Sequence, residues 1–325
     1  MKSKKNIALI GAGYWGKNHL KNLYNLGVLQ SVMDTNDNIL ETREKDFPNI
    51  SYTTKLEEIL ENPEIKAVVI AAPAEMHFKL TKMCLLAEKD VLVEKPLALN
   101  CRDGRELVNL SEKIGKILMV GHVLQYHPAV KKLIQIVKDG GLGAIRYIYS
   151  NRLNLGKLRA EENVLWSFAP HDISLILMLM NGKKPIRVKA FGESYIIEGI
   201  YDSTVTELEF QNKVKCHIFV SWLHPYKEQR LVIIGSENMA VFNDLTEEKL
   251  FIYPYTVNMA DNNVPIAERA EHYPVEVKKS EPLRDELLHF IECIKGRKKP
   301  LTDGQEGLRV LEVLESAEKS LVDKT

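Results

Sequence analysis

Ile7-Ala8-Leu9-Ile10-Gly11-Ala12-Gly13-Tyr14-Trp15-Gly16 decides the fold. Four apolar residues in a row read as a strand buried on both faces, which is the habit of a parallel sheet. The strand runs into G-x-G-x-x-G, and a helical pattern follows from about Tyr14 to Leu26. In that strand–turn–helix setting Gly11 permits a tight turn, Gly13 lets the backbone approach a pyrophosphate, and Gly16 lets the helix pack on the strand. The helix start then offers unpaired N–H groups and a positive dipole end to phosphates.

Outward from this stretch the first ~120 residues keep alternating strand and helix patterns, the signature of βαβ units. Strands are predicted near Leu29–Asp34, Ala67–Ala71, Asp90–Glu94 and Ile117–Val120, with helices between them. The texture changes after Gly121. A helix is predicted from His127 to Lys138, then closely spaced strands and turns, interrupted by a helix at about Ala169–Met180 and closed by two C-terminal helices. Short turns between strands imply antiparallel pairing. The predicted class is α/β, with a doubly wound N-terminal dinucleotide-binding (Rossmann) domain over residues 1–121. An α+β domain over residues 122–325 follows, carrying a large mixed, mostly antiparallel sheet, and its final helices can pack back toward the first domain.

Composition narrows the partners. The chain has 325 residues, with 44 basic and 44 acidic side chains and a formal net charge of zero. A dedicated nucleic-acid binder carries a basic excess, so none is expected as a partner. The longest apolar run, near Ile173–Met180, is too short to span a bilayer, so no membrane association is expected. The basic start is followed by a strand and a glycine loop rather than a signal-peptide core. Cys84, Cys101, Cys216 and Cys293 lie far apart, and no Cys/His spacing suits a metal. The expectation is a cytoplasmic protein with buried, reduced cysteines and no metal.

The second strand ends at Asp34, at the spacing where a carboxylate accepts hydrogen bonds from the adenosine ribose. It repels a 2′-phosphate, and Thr35-Asn36 offers no arginine to offset that, which favours NAD over NADP. Ala71-Ala72-Pro73 ends the next strand with small residues that let a ligand come close. His77 follows in the first helical turn, either as a surface histidine or as a cofactor contact. Val91-Leu92-Val93-Glu94-Lys95-Pro96 is a buried strand ending in a carboxylate, an ammonium and a proline. Ligands of open α/β sheets sit beyond the carboxyl ends of the strands, so Lys95 is aimed at the ligand crevice. Lysine becomes a base at neutral pH when desolvated or set beside another cation.

Together with Gly121-His122, Tyr126-His127-Pro128, His171-Asp172-Ile173 and Pro300-Leu301-Thr302-Asp303-Gly304, these motifs resemble the glucose–fructose oxidoreductase / inositol dehydrogenase (Gfo/Idh/MocA) family over essentially the whole chain. The resemblance implies NAD(P)-dependent oxidation or reduction of a sugar, cyclitol or sugar derivative. It implies Lys95 and His171 as catalytic residues. The implied cofactor set is Gly11, Gly13, Tyr14, Trp15, Gly16, Asp34, Ala72, Pro73, His77 and Glu94. Members commonly carry an aspartate four residues before the histidine; this chain has Ser167. The arginine-bearing segment before Pro128 is also altered, to Leu124-Gln125.

Substrate clues lie in the strand Arg146–Asn154, where Arg152 and Asn154 share one face. The loop after it carries Lys157, Arg159, Asn163 and Trp166. Arg152, Asn154, Arg159, Trp166 and Ser167, with Lys95 and His171, form the predicted substrate set; a solvated loop or an oligomer contact is the alternative for that segment. Cationic and amide groups suit phosphates or an N-acetyl group. The segment loosely resembles family members that oxidise C3 of UDP-N-acetylhexosamines. An inositol or free-sugar dehydrogenase is the alternative substrate reading, and a non-catalytic NAD-binding regulator the alternative class. A broad sheet with helices on one face leaves an apolar face to bury, so a homodimer or homotetramer is expected.

Overall fold

Hydrophobic runs without alternation become the strands of an all-parallel sheet. In the computed structural model, which describes residues 5–156, 158–160, 162–260 and 263–322, these are β1 (Ile7–Ile10), β2 (Leu29–Met33), β3 (Ser51–Thr53), β4 (Ala67–Ile70), β5 (Asp90–Glu94) and β6 (Leu118–Gly121). Their order is β3-β2-β1-β4-β5-β6, and every pair is parallel. The helices between them are α1 (Gly16–Asn25), α2 (Asp37–Asp46), α3 (Leu56–Leu60), α4 (Ala74–Leu86) and α5 (Cys101–Lys113). The strand order reverses between β1 and β4, the switch point where doubly wound folds receive ligands.

The remainder contains α6 (Pro128–Lys138), β7 (Ile145–Leu155), α7 (Val164–Leu179), β8 (Arg187–Glu193), β9 (Ser203–Glu209), β10 (Lys215–Ser221), β11 (Leu223–Gly235), β12 (Met239–Asn243) and β13 (Leu250–Tyr253). After them come β14 (Tyr255–Met259), β15 (Pro265–Arg269), β16 (Tyr273–Pro274), α8 (Pro282–Gly296) and α9 (Gly304–Val322). Eight strands form one sheet in the order β16-β13-β12-β11-β7-β10-β9-β8. Among the described residues only β7 and β10 run parallel in it, so the sheet is mixed and mostly antiparallel. The fold is therefore α/β, a doubly wound sheet plus a large mixed sheet.

The described chain divides into two units. One runs to Val123 and takes in Glu281–Leu311; the other holds Leu124–Ser280 and the chain from Glu312. α8 and the start of α9 group with the parallel sheet. Polar contacts are among the anchors: Asn22 of α1 donates to Glu281 at 2.8 Å, and Arg297 reaches Asp90 at 2.7 Å. His122 and Glu306 are both buried and paired at 2.5 Å.

α7 begins at Val164, five residues before the predicted start, because Asn163 caps it by accepting the Trp166 N–H at 3.2 Å. Thirteen of its sixteen residues are buried, so it is a core helix of the second unit rather than an amphipathic surface one. It packs on β7, β9 and β10. The opposite face of that sheet is open. Register aligns Lys189, Glu207, His217 and Tyr149 in one row across it, with Phe191 61% exposed beside them. Among the described residues no helix is long and apolar enough to cross a membrane, and no group of three or more His, Cys, Asp or Glu could hold a metal ion. All four cysteines are buried.

Candidate active site

The glycine turn shows three different reasons for glycine. Gly11 has φ +91°, and a Cβ there would meet the Ala71 carbonyl oxygen at 2.6 Å. A Cβ on Gly16 would lie 2.0 Å from the Gly11 carbonyl oxygen. Those two are demanded by the fold itself. A Cβ on Gly13 meets nothing within 4 Å, so packing does not require glycine there. A ligand passing close to the backbone would. The first helical residues of α1 have no side-chain cap, which leaves N–H groups for phosphate oxygens. Tyr14 is 96% exposed above this opening. The loop therefore fits a dinucleotide on its own geometry.

Asp34 follows β2 as predicted. Its Oδ2 accepts the Ala12 N–H at 2.8 Å, and Oδ1 accepts the Asn36 N–H at 3.0 Å, so the carboxylate is stitched to the glycine loop. One cation escaped the sequence reading: Arg43 of α2 donates through Nε to the Ala12 carbonyl at 3.1 Å. Arg43 lies nine residues beyond Asp34, and only the helix brings it back to the loop.

At the end of β5 the Glu94 carboxylate is a buried hub. Oε1 accepts the Trp15 indole N–H at 2.6 Å and lies 2.7 Å from His19 Nε2. Oε2 accepts the Lys95 backbone N–H at 3.2 Å. Burial alone raises the Glu94 carboxyl, but the hydrogen bond and charge of His19, the Trp15 N–H and the charge of Lys95 outweigh it and hold the group below its ordinary value. A Cβ on Gly121 would come within 3.0 Å of this carboxylate, which accounts for the glycine at the end of the neighbouring strand. Glu94 thus ties Trp15 in the cofactor loop to the backbone of Lys95. Its carboxylate is occupied inside the protein.

His77 is 1% exposed, neither a surface residue nor an open contact. Its Nδ1 is 2.7 Å from the Pro96 carbonyl oxygen and its Nε2 is 2.9 Å from that of Ala72. It joins the turn after β4 to the turn that carries Lys95. The predicted Ala72, Pro73, His77 and Lys95 are thus brought together in the first unit.

In the second unit His171 stands in α7 directly after Pro170, which lies inside the helix. Proline has no N–H, so the Trp166 carbonyl lacks its helical donor one turn back. Ser167 is 3% exposed and lies four residues before His171, on the same helical face. Two contacts fix this part of the helix. Gln125 donates to Ser174 Oγ at 2.7 Å, which gives the altered Leu124-Gln125 segment a structural part. Asp172 receives Arg152 Nε at 2.8 Å and the Ser150 hydroxyl at 2.6 Å.

Several predicted substrate residues of the second unit are held by partners within it. Arg152 is 9% exposed and held by Asp172. Trp166 is 5% exposed, a core residue rather than an open stacking platform. Arg159 is paired with Glu162 at 2.7 Å. Lys157 lies outside the described residues. Asn154 differs: its amide rests over Gly156, where a Cβ would meet Nδ2 at 2.8 Å. Its buried Oδ1 has no hydrogen-bond partner among the described residues.

Comparison with known proteins agrees with these elements. Residues 5–122 match the family described as oxidoreductase family, NAD-binding Rossmann fold, and residues 130–241 match the Gfo/Idh/MocA C-terminal domain. The chain is 26% identical over 309 residues to UDP-N-acetylglucosamine 3-dehydrogenase of Acidithiobacillus ferrooxidans, covering 93% of each protein. It is 26% identical over 332 residues to myo-inositol 2-dehydrogenase of Thermotoga maritima, covering 98% of this chain and 96% of that protein. A solved structure of the Acidithiobacillus ferrooxidans enzyme superposes with a TM-score of 0.85 at 23% identity over 97% of both chains. With both of its domains matched, the chain belongs to the Gfo/Idh/MocA family of NAD-binding Rossmann oxidoreductases.

Proposed function

We propose that this protein is an NAD-dependent dehydrogenase that interconverts a ring hydroxyl and ketone of a sugar derivative, with C3 of a UDP-N-acetylhexosamine as the leading substrate. The observation that carries the reading is Lys95 at the carboxyl end of β5, in the same parallel sheet whose first turn is opened by Gly13 for a dinucleotide. When bound, NAD supplies the hydride acceptor; the protein positions the substrate and handles its proton. Lys95 and His171 are the proton-handling groups. One takes the hydroxyl proton as the carbon is oxidised, and the other donates a hydrogen bond to the reacting oxygen. A well-placed base contributes roughly 10²- to 10⁴-fold. Gly11, Gly13, Gly16 and the start of α1 hold the pyrophosphate, and Asp34 favours NAD over NADP by receiving ribose hydroxyls.

The UDP-N-acetylhexosamine reading is supported by the relative that shares 26% identity over nearly its full length and by Asn154 Oδ1, an acceptor with no hydrogen-bond partner among the described residues. Oxidation of a free cyclitol is the second reading, supported by the inositol dehydrogenase of equal identity. The open face of the eight-stranded sheet, with its alternating Lys189, Glu207 and His217, supports assembly into a homodimer or homotetramer, which light scattering after gel filtration tests.

The deciding experiment is NADH formation measured across UDP-N-acetylglucosamine, free hexoses and inositols, with Lys95→Ala and His171→Ala alongside. Turnover on the nucleotide sugar, lost by orders of magnitude in both folded variants, supports the reading. Turnover confined to inositols moves the assignment to the second. Binding of NAD with no turnover on any of them leaves a regulator.

A further inference from the structure

Trp15 is 41% exposed, so burial gives little reason for so large a side chain at this position. Its one polar atom supplies the reason. The indole N–H donates to Glu94 Oε1 at 2.6 Å, and Glu94 ends β5, which stands two places from β1 in the sheet. Neighbouring strands lie about 4.8 Å apart, so the span to be bridged is roughly 10 Å. An indole and a glutamate side chain meeting end to end cover it. The other carboxylate oxygen, Oε2, accepts the Lys95 backbone N–H at 3.2 Å. We propose that Trp15 is a positioning residue for Lys95: through Glu94, its indole N–H couples the cofactor loop to the turn that carries the lysine, so that the loop and the turn are set together. This rests on the reading of Lys95 as a proton-handling group and goes beyond it, by giving the lysine a partner in the loop that receives the dinucleotide.

Each joint of this connection is held. The Trp15 backbone belongs to the first turn of α1: its carbonyl accepts the Asn18 N–H at 2.9 Å, and the Gly13 carbonyl accepts the Lys17 N–H at 3.1 Å. The Trp15 and His19 rings meet edge to face, with centroids 6.4 Å apart at 83°, and His19 Nε2 lies 2.7 Å from the same Glu94 Oε1. The indole is thus fixed at its N–H and along one edge, while part of its surface stays open. The Glu94 carboxyl is held below its ordinary value, so it is ionised and accepts on both oxygens. Hydrogen bonds to a charged acceptor are short and strong, so a shift of Trp15 is passed on to Glu94 rather than absorbed. Glycine at 121 gives the carboxylate its place, since a Cβ there would stand 3.0 Å from it. A dinucleotide settling on the glycine loop therefore acts on the Lys95 N–H through two side chains. Misplacing a reacting group by about 1 Å costs about a hundredfold in rate, so a connection of this kind bears on turnover.

The first test is independent of activity. In protein labelled with nitrogen-15 lysine, the Lys95 backbone amide signal is identified by its loss in Lys95→Arg. Trp15→Phe keeps a ring beside His19 and removes the N–H. In that variant the Lys95 amide proton should move upfield as its bond to Glu94 loosens; an amide that keeps its position overturns the proposal. The second test is kinetic. Trp15→Phe should lower kcat by about ten- to a hundredfold, with the KM for the sugar substrate within about twofold of wild type. A raised KM for NAD with unchanged kcat would make Trp15 a wall of the cofactor site alone, and the positioning role falls. Glu94→Gln breaks the same connection one link further on, so in the double variant the two losses in kcat should not multiply. Losses that do multiply belong to two separate roles and count against the coupling. Should Glu94→Gln fail to fold, the amide shift and the kcat of Trp15→Phe still decide. Should Lys95→Ala remain active, the functional reading fails instead, while the Lys95 amide in Trp15→Phe still shows whether the coupling exists.

Discussion

Arg152 grips Asp172 with two hydrogen bonds, Nε to Oδ2 at 2.8 Å and Nη2 to Oδ1 at 3.2 Å, and Asp172 is the residue after His171. The carboxylate is nearly inaccessible, and Ser150 Oγ donates to it as well. This arrangement fixes the rotation of α7 about its axis and with it the direction of His171. Removing one member of a buried pair strands the other charge, at a cost of about 3–5 kcal/mol. Arg152→Met should therefore lower the denaturant midpoint strongly and reduce kcat. A substrate-binding arginine would show the opposite pattern, a raised KM with unchanged stability. Urea unfolding beside steady-state kinetics separates the two.

The two glycines of the turn should respond in opposite ways. Gly13→Ala adds a methyl group to open space, so stability should stay within about 0.5 kcal/mol of wild type. NADH affinity should fall by about tenfold or more, because the methyl group takes the room a pyrophosphate needs. Gly16→Ala places carbon against the Gly11 carbonyl, and overpacking of that kind costs about 1–3 kcal/mol or more. Thermal melting and NADH fluorescence titration on both variants read the split. Equal destabilisation by the two would remove the ligand argument for Gly13.

The order of elements was legible in the chain because buried parallel strands are local apolar runs and the glycine turn has a fixed spacing. Lys95 and Asp34 were legible for the same reason: each sits at the end of such a run. Side-chain partnership was not. Arg152 looked free in sequence because its partner is twenty residues away on a helix, and Trp166 looked like an open aromatic because the loop before α7 was read as longer than it is. His77 gave no sign of its two carbonyl partners, since backbone acceptors leave no mark in the residue code. β3 and β13–β16 escaped because strands of two to five residues are too short to show a period.

Cofactor preference turns on Asp34 and its neighbour. The carboxylate should disfavour a 2′-phosphate, while Arg43 already bonds the same loop through Nε. Asp34→Ser should bring the NADP affinity toward that of NAD, changing the ratio by about tenfold, or about 1.4 kcal/mol. Adding Arg43→Ala to that variant should take the gain away again if the guanidinium is what receives the phosphate. Isothermal titration with both cofactors measures each arm; an unchanged ratio in Asp34→Ser would detach Asp34 from cofactor choice.

Glu286 of α8 should make the protein less stable as pH rises. It is fully buried, and neither carboxyl oxygen has a hydrogen-bond partner among the described residues. Burial, together with the negative charge of Glu94, pushes its carboxyl well above the usual carboxylate range. In the unfolded chain the same group ionises near its ordinary value of 4.5. Above that pH the unfolded state gains from ionising while the folded state keeps its proton, so stability falls with rising pH until the folded group ionises too. Glu286→Gln keeps the shape and removes the titration. Its urea midpoint relative to wild type should be unchanged in pH dependence below pH 4 and should climb steadily from there toward pH 8. A difference that stays flat across that range would show that Glu286 is ionised and paired in the folded protein, and that Glu94 shares its pocket with a second charge.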